Sequence, residues 1–383
     1  MAENTMKISF LLDSSSAWKS GIWWHRNEIP MRALAKRGHG INQPVIKHKM
    51  TQAEMDFPDT IIFGRTYPPA YNPIALMRDY KKLGKRVLYD MDDDFWQVAK
   101  DNPSVMVSNS LKDQYEGMIQ EADAIITPSK ILAKKFKKFK KPVFLCPNGI
   151  DYKVYQERPH QNEGLVIGYS GAASHWADLN IMMDALIDLS RKYDFQFNVD
   201  GMCGGGLKSE MLIYRKSLGP ESPDHTYPQS VMPEQNGYII SALNFWEKLK
   251  ELKGGHKPFC LPELHPEELS LCDFDIGLAP LEDNEFNRGK SCIKYYEYAS
   301  VGTVTLASDV EPYRSEVNYR AKNTKKDWYK KLEKLIVDKD FRAKILKQQM
   351  EWVKKNRSLE AIGLPWELAC QKPGGLPVLN QQQ

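Results

Sequence analysis

The sequence predicts an α/β protein built from two doubly wound domains. Three observations carry this. Short apolar runs alternate with longer stretches of helical spacing, the order expected of parallel strands linked by helices. A turn-rich break, Pro147-Asn148-Gly149-Ile150-Asp151, followed by the polar segment 156–163, cuts that alternation in two. The chain's 383 residues suffice for two ordinary cores.

The elements follow in order. Ile8–Leu12 is a short apolar run that reads as the first strand, with Ser14-Ser15-Ser16 and Gly21 in its loop. Ile29–Ala35 reads as helix and stops at Gly38. Strands are expected at Thr60–Phe63, Val87–Tyr89, Ala124–Thr127 and Val143–Cys146, separated by helices that include Tyr71–Lys82 and Leu111–Glu121. A second unit opens at Leu165-Val166-Ile167, turns through Gly168-Tyr169-Ser170-Gly171, and continues as helix over Leu179–Tyr193. Phe195–Val199, Phe259–Leu261, Ile276–Leu278 and Val304–Leu306 complete its sheet. The stretch from about 203 to 255 exceeds what the alternation needs and reads as an insertion, helical at Tyr238–Lys250. Lys325–Ile336 and Phe341–Lys355 are lysine-rich amphipathic helices. The expected domains are therefore 1–155 and 156–338, then a helix over 339–357 and a tail over 358–383, disordered from Gly363 onward.

Composition narrows the function classes. Apolar and charged fractions of 42% and 27% are ordinary for a globular enzyme. No apolar run approaches the roughly eighteen residues of a membrane span. Met1–Lys7 lacks the apolar core of a signal peptide, so a cytoplasmic location is expected, that of a host cell if the protein is phage-encoded. Six scattered cysteines without a Cys-x-x-Cys pair argue against a zinc site or a disulfide framework. Residues 1–150 carry 23 Lys+Arg against 16 Asp+Glu, a net of +7, and leave 30 against 33 for the remainder. A basic N-terminal half suits an anionic partner such as nucleic acid or a phospholipid surface.

The densest functional signal is the segment Phe286–Gly302, which reads as basic loop, helix and glycine turn between two strands. A helix opening after Gly289 would present free N–H groups and a partial positive charge, with Arg288 and Lys290 beside it. Lys294 and Glu297 are three apart and share the face that also carries Ser291. A carboxylate one to two turns into an anion-binding helix suits sugar hydroxyls attached to that anion. Phosphate at the helix start and ribose at Glu297 describe a nucleotide diphosphate.

These residues resemble the GT-B glycosyltransferases, specifically glycosyltransferase family four. Lys294, Glu297, Tyr298, Gly302 and Ser308 fill places close to its pattern Lys-x-x-Glu/Asp-Tyr-x-Ala-x-Gly-x-Pro-Val-x-x-Ser. Pro147–Asp151 is similar to the hinge between the two halves of those enzymes. The resemblance implies two Rossmann-like domains facing a cleft, a nucleotide-sugar donor in the C-terminal one, the acceptor in the N-terminal one, and a helix crossing back at the end. It implies that Glu297 holds the ribose, that the basic loop holds the diphosphate, and that anomeric configuration is retained. The chain departs from the family in two places. Gly289 stands where many members carry a second glutamate on the transferred sugar, and the usual Arg/Lys pair of the first C-terminal loop is absent. Arg288, Lys290 or Lys294 must then neutralise the diphosphate.

Three further constellations remain. Gly168-Tyr169-Ser170-Gly171-Ala172-Ala173-Ser174-His175 links a strand to a helix, and its small residues suit either a plain turn or close approach to the donor. His175 and Asp178 are its polar side chains expected to face the cleft. Asp90-Met91-Asp92-Asp93-Asp94 ends a strand and suits a divalent metal, an acidic helix start, or hydroxyls of the sugar or acceptor. Related GT-B sequences with a similar segment favour the last. Ile131–Lys141 is a lysine-rich helix with Leu132, Phe136 and Phe139 on one side, suited either to packing or to a polyanion. Gly289-Lys290-Ser291 lacks the first glycine of a phosphate loop, and Gly204-Gly205-Gly206 lacks a strand–helix frame.

The expected function is a hexosyl- or pentosyltransferase using a UDP-sugar as co-substrate, with no cofactor and no metal. Lys290, Lys294, Asp92 and Asp93 are expected in catalysis. Gly168, Ser170, Gly171, His175, Arg288, Ser291 and Glu297 are expected on the donor. The acceptor is a hydroxymethylated pyrimidine in DNA, as in phage enzymes, or a cell-surface saccharide. The alternatives are a metal-dependent transferase using Asp92–Asp94 and a non-catalytic protein binding nucleic acid or nucleotide sugar.

Overall fold

The computed structural model describes residues 5–13, 20–98, 110–158, 161–172, 175–201, 236–257 and 261–371. The chain divides into two compact units. The first takes Met1–Asp93, Leu111–Gly149 and Arg357–Gln383, and the second Asp94–Ser110 and Ile150–Asn356.

The first unit holds six parallel strands in the order β2-β1-β3-β4-β5-β6. They are β1 Lys7–Leu11, β2 Gly40–Asn42, β3 Thr60–Phe63, β4 Arg86–Asp90, β5 Ala124–Thr127 and β6 Val143–Leu145. Every residue of β3, β4 and β5 is buried, because helices cover both faces of a parallel sheet. That is why these strands read as unbroken apolar runs. The edge strand β2 is half-buried and has no such run, so pattern alone missed it.

The second unit repeats the architecture in the order β12-β11-β10-β7-β8-β9, again all parallel. Its strands are β7 Val166–Ser170, β8 Gln196–Asp200, β9 His256–Lys257, β10 Ile276–Ala279, β11 Val304–Ser308 and β12 Arg320–Ala321. Trp176, on the helix Trp176–Ser190, packs on Phe245 and Trp246 with ring centroids 5.2 and 5.6 Å away. Those two rings come from the helix Asn236–Leu249, close to the helix expected at Tyr238–Lys250.

Two C-terminal expectations need correction. The helix Lys339–Arg357, expected to cross between domains, packs in the second unit as far as Asn356. Its buried Gln349 accepts from the Thr305 amide at 2.8 Å and donates to the Thr305 carbonyl at 2.9 Å, which satisfies β11 short of its pairing with β12. The return to the first unit is made by the helix Leu359–Cys370, in the stretch expected to be disordered. Gly363 and Pro365 disguise it. Leu359, Ile362, Trp366, Ala369 and Cys370 nevertheless recur at helical spacing and form a buried stripe. Its last carbonyls accept from Thr60 Oγ1 at 2.7 Å and from Arg86 Nε at 3.0 Å, and Trp366 Nε1 donates to the Pro147 carbonyl at 3.1 Å. Lys36 and Arg37 pair with Glu360 and Glu367 on the same helix.

Ser14–Ser16, Ala173, Ser174, residues 202–235 of the insertion including Gly204–Gly206, and residues beyond 371 lie outside the described residues. So do 258–260, the start of the strand expected at Phe259–Leu261. No described helix is long and apolar enough to cross a membrane.

Candidate functional site

In the second unit the polar residues gather at the carboxyl ends of β7, β8, β10 and β11, where open parallel sheets bind ligands. Ser170 ends β7, and its hydroxyl donates to Asp200 at the end of β8, 3.0 Å away. The Gly171 amide donates to the Asp200 carbonyl at 3.0 Å. A Cβ on Gly171 would lie 2.7 Å from Tyr169 Oη, 2.9 Å from Lys294 Cε and 3.0 Å from its Nζ, so a larger residue would make the lysine's flexible end shift from its place against the loop. Gly168 has a different reason. It lies inside β7, and a Cβ there would overlap the Phe274 ring at 2.3 Å, so its glycine serves packing rather than the loop.

The basic segment departs from expectation in its local structure. Glu285–Arg288 forms a short helix capped by Asn284, and the longer helix opens at Ile293 rather than after Gly289. The expected opening would have put Lys290 in the first turn of the long helix, whereas it lies in the link before Ile293. The Asn284 side chain takes the Asn287 amide and tightens that turn. Arg288 consequently points away from the cluster, exposed and paired with Asp283 at 2.6 Å. Ser291 is half-buried in the link between the two helices.

Lys290, Lys294, His175 and Asp178 are brought together. Asp178 is the hub. Its Oδ2 lies 2.6 Å from His175 Nδ1, and its Oδ1 accepts from the Glu282 amide at 2.7 Å and from Asn287 Nδ2 at 3.4 Å. Burial raises the Asp178 carboxyl, but His175, Lys290 and the Glu282 amide bring it below its usual range. Burial and then the charge of Lys290 push the Lys294 ammonium down to about 8, against Glu297 and Asp178. Burial, Lys290 and Lys294 likewise push the His175 imidazole down to about 4. Lys290 and Lys294 thus each disfavour a further positive charge in this cluster, and Asp178 opposes them.

Glu297 lies on the same helix, within two turns of that opening, and is 6% exposed. Tyr155 donates to its Oε1 at 2.9 Å, and His265 Nε2 is 3.3 Å from the same oxygen. Sequence reasoning missed Tyr155, His265 and Asp200, which sit 142, 32 and 97 positions from Glu297 and belong to no local motif. The pattern residues around Glu297 are structural. Tyr298 Oη accepts from the Ser170 amide at 2.7 Å, Ser308 Oγ accepts from the Leu281 amide at 2.8 Å, and Gly302 ends the helix at φ +85°.

The first unit carries the acidic segment, at the end of β4. Asp90 is buried in a two-pronged pair with Arg26, at 2.9 and 2.6 Å. Arg26 reaches it from a π-helical turn, Trp24–Glu28, and also donates to the Cys146 carbonyl and to Asn148 Oδ1, each at 2.8 Å. Burial pushes Asp90 up to about 6 in spite of Arg26. Asp92 and Asp93 each lie 3.5 Å from Arg65, and Asp92 Oδ1 has no hydrogen-bond partner among the described residues. Among those residues no three His, Cys, Asp or Glu side chains converge as a metal cage.

The lysine segment is shorter as a helix than expected. The α-helix Lys130–Phe136 gives way to a 3-10 turn over Lys137–Phe139, and Lys140 takes φ +56°. Leu132 and Phe136 are buried, whereas Lys134, Lys137, Lys138 and Lys140 are exposed.

No protein-family model matches the chain, and no curated protein matches it. Solved structures do. HepE of Anabaena, in complex with UDP and glucose, is 13% identical, with TM-score 0.59 over 95% of this chain and 98% of its own. A glycosyltransferase from Rickettsia africae is 13% identical, with TM-score 0.61 over 96% and 98%. An alpha-glucosyltransferase in complex with UDP and a 13-mer DNA containing an HMU base is 14% identical, with TM-score 0.61 over 96% and 99%. The fold is GT-B. In GT-B terms, the two Rossmann-like units are the two six-stranded sheets described above.

Proposed function

We propose that the chain is a retaining glycosyltransferase that moves a sugar from a UDP-sugar to an acceptor hydroxyl. The observation that carries this is the convergence of Gly171, Lys290, Lys294 and His175 beside Glu297 at the carboxyl end of the second sheet. Lys290 and Lys294 neutralise the departing diphosphate, and preorganised positive charge of this kind supplies most of the acceleration. Glu297, oriented by Tyr155, takes the ribose hydroxyls. Asp92 and Asp93, steadied by Arg65, serve the acceptor hydroxyl.

The acceptor we favour is a hydroxymethylated pyrimidine in DNA. The net charge of +7 on residues 1–150 and the exposed lysines 134, 137, 138 and 140 suit a phosphate backbone. The alpha-glucosyltransferase that shares the fold was solved with such DNA. A saccharide acceptor is the second reading.

The test is mass spectrometry of duplex DNA containing hydroxymethyluracil or hydroxymethylcytosine, and of saccharide acceptors, after incubation with a panel of nucleotide sugars. A hexose or pentose added to DNA is the expected product. No transfer to any acceptor, with no hydrolysis of any donor, would leave the non-catalytic binding protein in its place. Turnover should persist in EDTA, because lysines neutralise the diphosphate. Loss of turnover restored by Mg²⁺ or Mn²⁺ would return Asp92–Asp94 to a metal role.

A further inference from the structure

The Asp178–His175 pair suggests how the donor site adjusts its charge. His175 stands at the N-terminus of the helix Trp176–Ser190, and its Nδ1 is taken by Asp178 at 2.6 Å. A neutral imidazole has one N–H, and a carboxylate at this distance holds it on Nδ1. Nε2 is then the remaining polar edge. It makes no hydrogen bond among the described residues, and the side chain keeps 16% of its surface exposed. The groups whose charges reach the ring come from three places: Asp178 on its own helix, Lys290 from the preceding link, and Lys294 from the helix Ile293–Ser300. Asp178 also holds the Glu282 amide and Asn287, so one buried carboxylate fixes both the imidazole and the short helix that leads to Lys290.

We propose that Asp178 is a positioning residue that presents His175 Nε2 to the donor's diphosphate, and that diphosphate binding brings a proton from solvent onto that nitrogen. His175 then becomes a third cationic ligand beside Lys290 and Lys294. This rests on the donor-site reading above. In the empty site, burial and the two lysines keep the imidazole neutral at physiological pH, down at about 4. A bound diphosphate brings negative charge that outweighs both lysines, while the favourable pull of Asp178 stays in place. The balance reverses, and the protonated form is favoured. The site therefore avoids holding three cations together until an anion arrives. Asp178 never contacts the ligand and acts only through the ring and the loop.

The experiment is titration calorimetry of UDP binding at pH 6 in buffers of different ionisation enthalpy, which counts protons taken up. At pH 6 Lys294 is already charged, since its ammonium titrates at about 8, so His175 is the group left to take a proton. His175→Gln provides the baseline, because the titration of UDP's own phosphate cancels in the difference. Wild type should take up more protons than His175→Gln, by a fraction approaching one per UDP. His175→Gln should bind UDP about ten- to a hundredfold more weakly, as expected when one charged hydrogen bond is removed. Asp178→Asn should lose the extra uptake while His175 is still present. If Asp178→Asn does not fold, the comparison with His175→Gln decides alone. Equal proton counts in wild type and His175→Gln would overturn the inference and leave the donor site standing. A wild type that binds no UDP would instead remove the donor-site reading itself.

Discussion

Glu297 is tied into the fold at the same group that the proposed function gives to the ribose. Its carboxylate is 6% exposed and receives Tyr155 at 2.9 Å, so truncation to alanine would orphan a buried hydroxyl. Glu297→Gln keeps an oxygen for Tyr155 and removes only the charge. We expect it to fold with little change in Tm and to lose about 1.5–3 kcal/mol toward the ribose, roughly ten- to 150-fold in kcat/KM for the donor. Unchanged donor kinetics would show that the nucleotide lies elsewhere. Lys294 gives a pH signature at the same scale. Its ammonium is held at about 8 by burial and by Lys290, and a bound diphosphate favours the charged form. UDP affinity should thus be highest below pH 8 and fall as pH rises through it. Lys290→Met removes the neighbouring positive charge, so the alkaline fall should move to higher pH even as overall affinity drops. An alkaline limb that stays in place in that variant would exclude Lys294 as its source.

At the scale of elements, the helix Leu359–Cys370 is the least expected part of the molecule and a firmly packed one. Trp366 is fully buried, lies 6.0 Å from the Phe10 ring, and has the Arg26 guanidinium 4.7 Å from its own ring centroid. Arg26 in turn holds Asp90, so this helix also backs the strand end that carries Asp92 and Asp93. Trp366→Ala should destabilise the first unit by about 3–5 kcal/mol, as for other large-to-small core changes. Denaturant unfolding followed by the signal of the first unit checks this. A loss below about 1 kcal/mol would mean that the helix is not an integral part of that core.

The whole molecule carries its charge unevenly, and the first unit's exposed lysines belong to the DNA reading. Because Lys134, Lys137, Lys138 and Lys140 are exposed on a helix end and its following turn, changing all four to glutamine removes charge with little loss of packing. The buried Leu132 and Phe136 still anchor the segment. Affinity for duplex DNA should fall, and the slope of log affinity against log salt should become shallower by up to about 0.9 for each phosphate that is no longer neutralised. Donor hydrolysis without acceptor should be unchanged. A wild type with no affinity for DNA even at low salt would direct attention to saccharide acceptors instead.

By itself the sequence determined the two-sheet α/β architecture and the strand–helix–strand frame around Lys294 and Glu297. Strands such as Thr60–Phe63 and Ala124–Thr127 are buried on both faces, so they must be apolar throughout and are legible from a short window. Lys294, Glu297, Gly302 and Ser308 are legible for the same kind of reason, since one strand–helix–strand unit sets their spacing. Sequence alone did not show where that helix opens, because the Asn284 cap outweighs the glycine at 289. It also could not show that Arg288 turns toward Asp283, or that Gly168 makes room for Phe274. Only the tertiary structure brought Tyr155 to Glu297 across 142 positions and Arg26 to Asp90 across 64. Backbone preference and burial are local properties that a short window can carry. The partner of a buried charge is chosen by the order in which strands enter a sheet, and no single segment encodes that order.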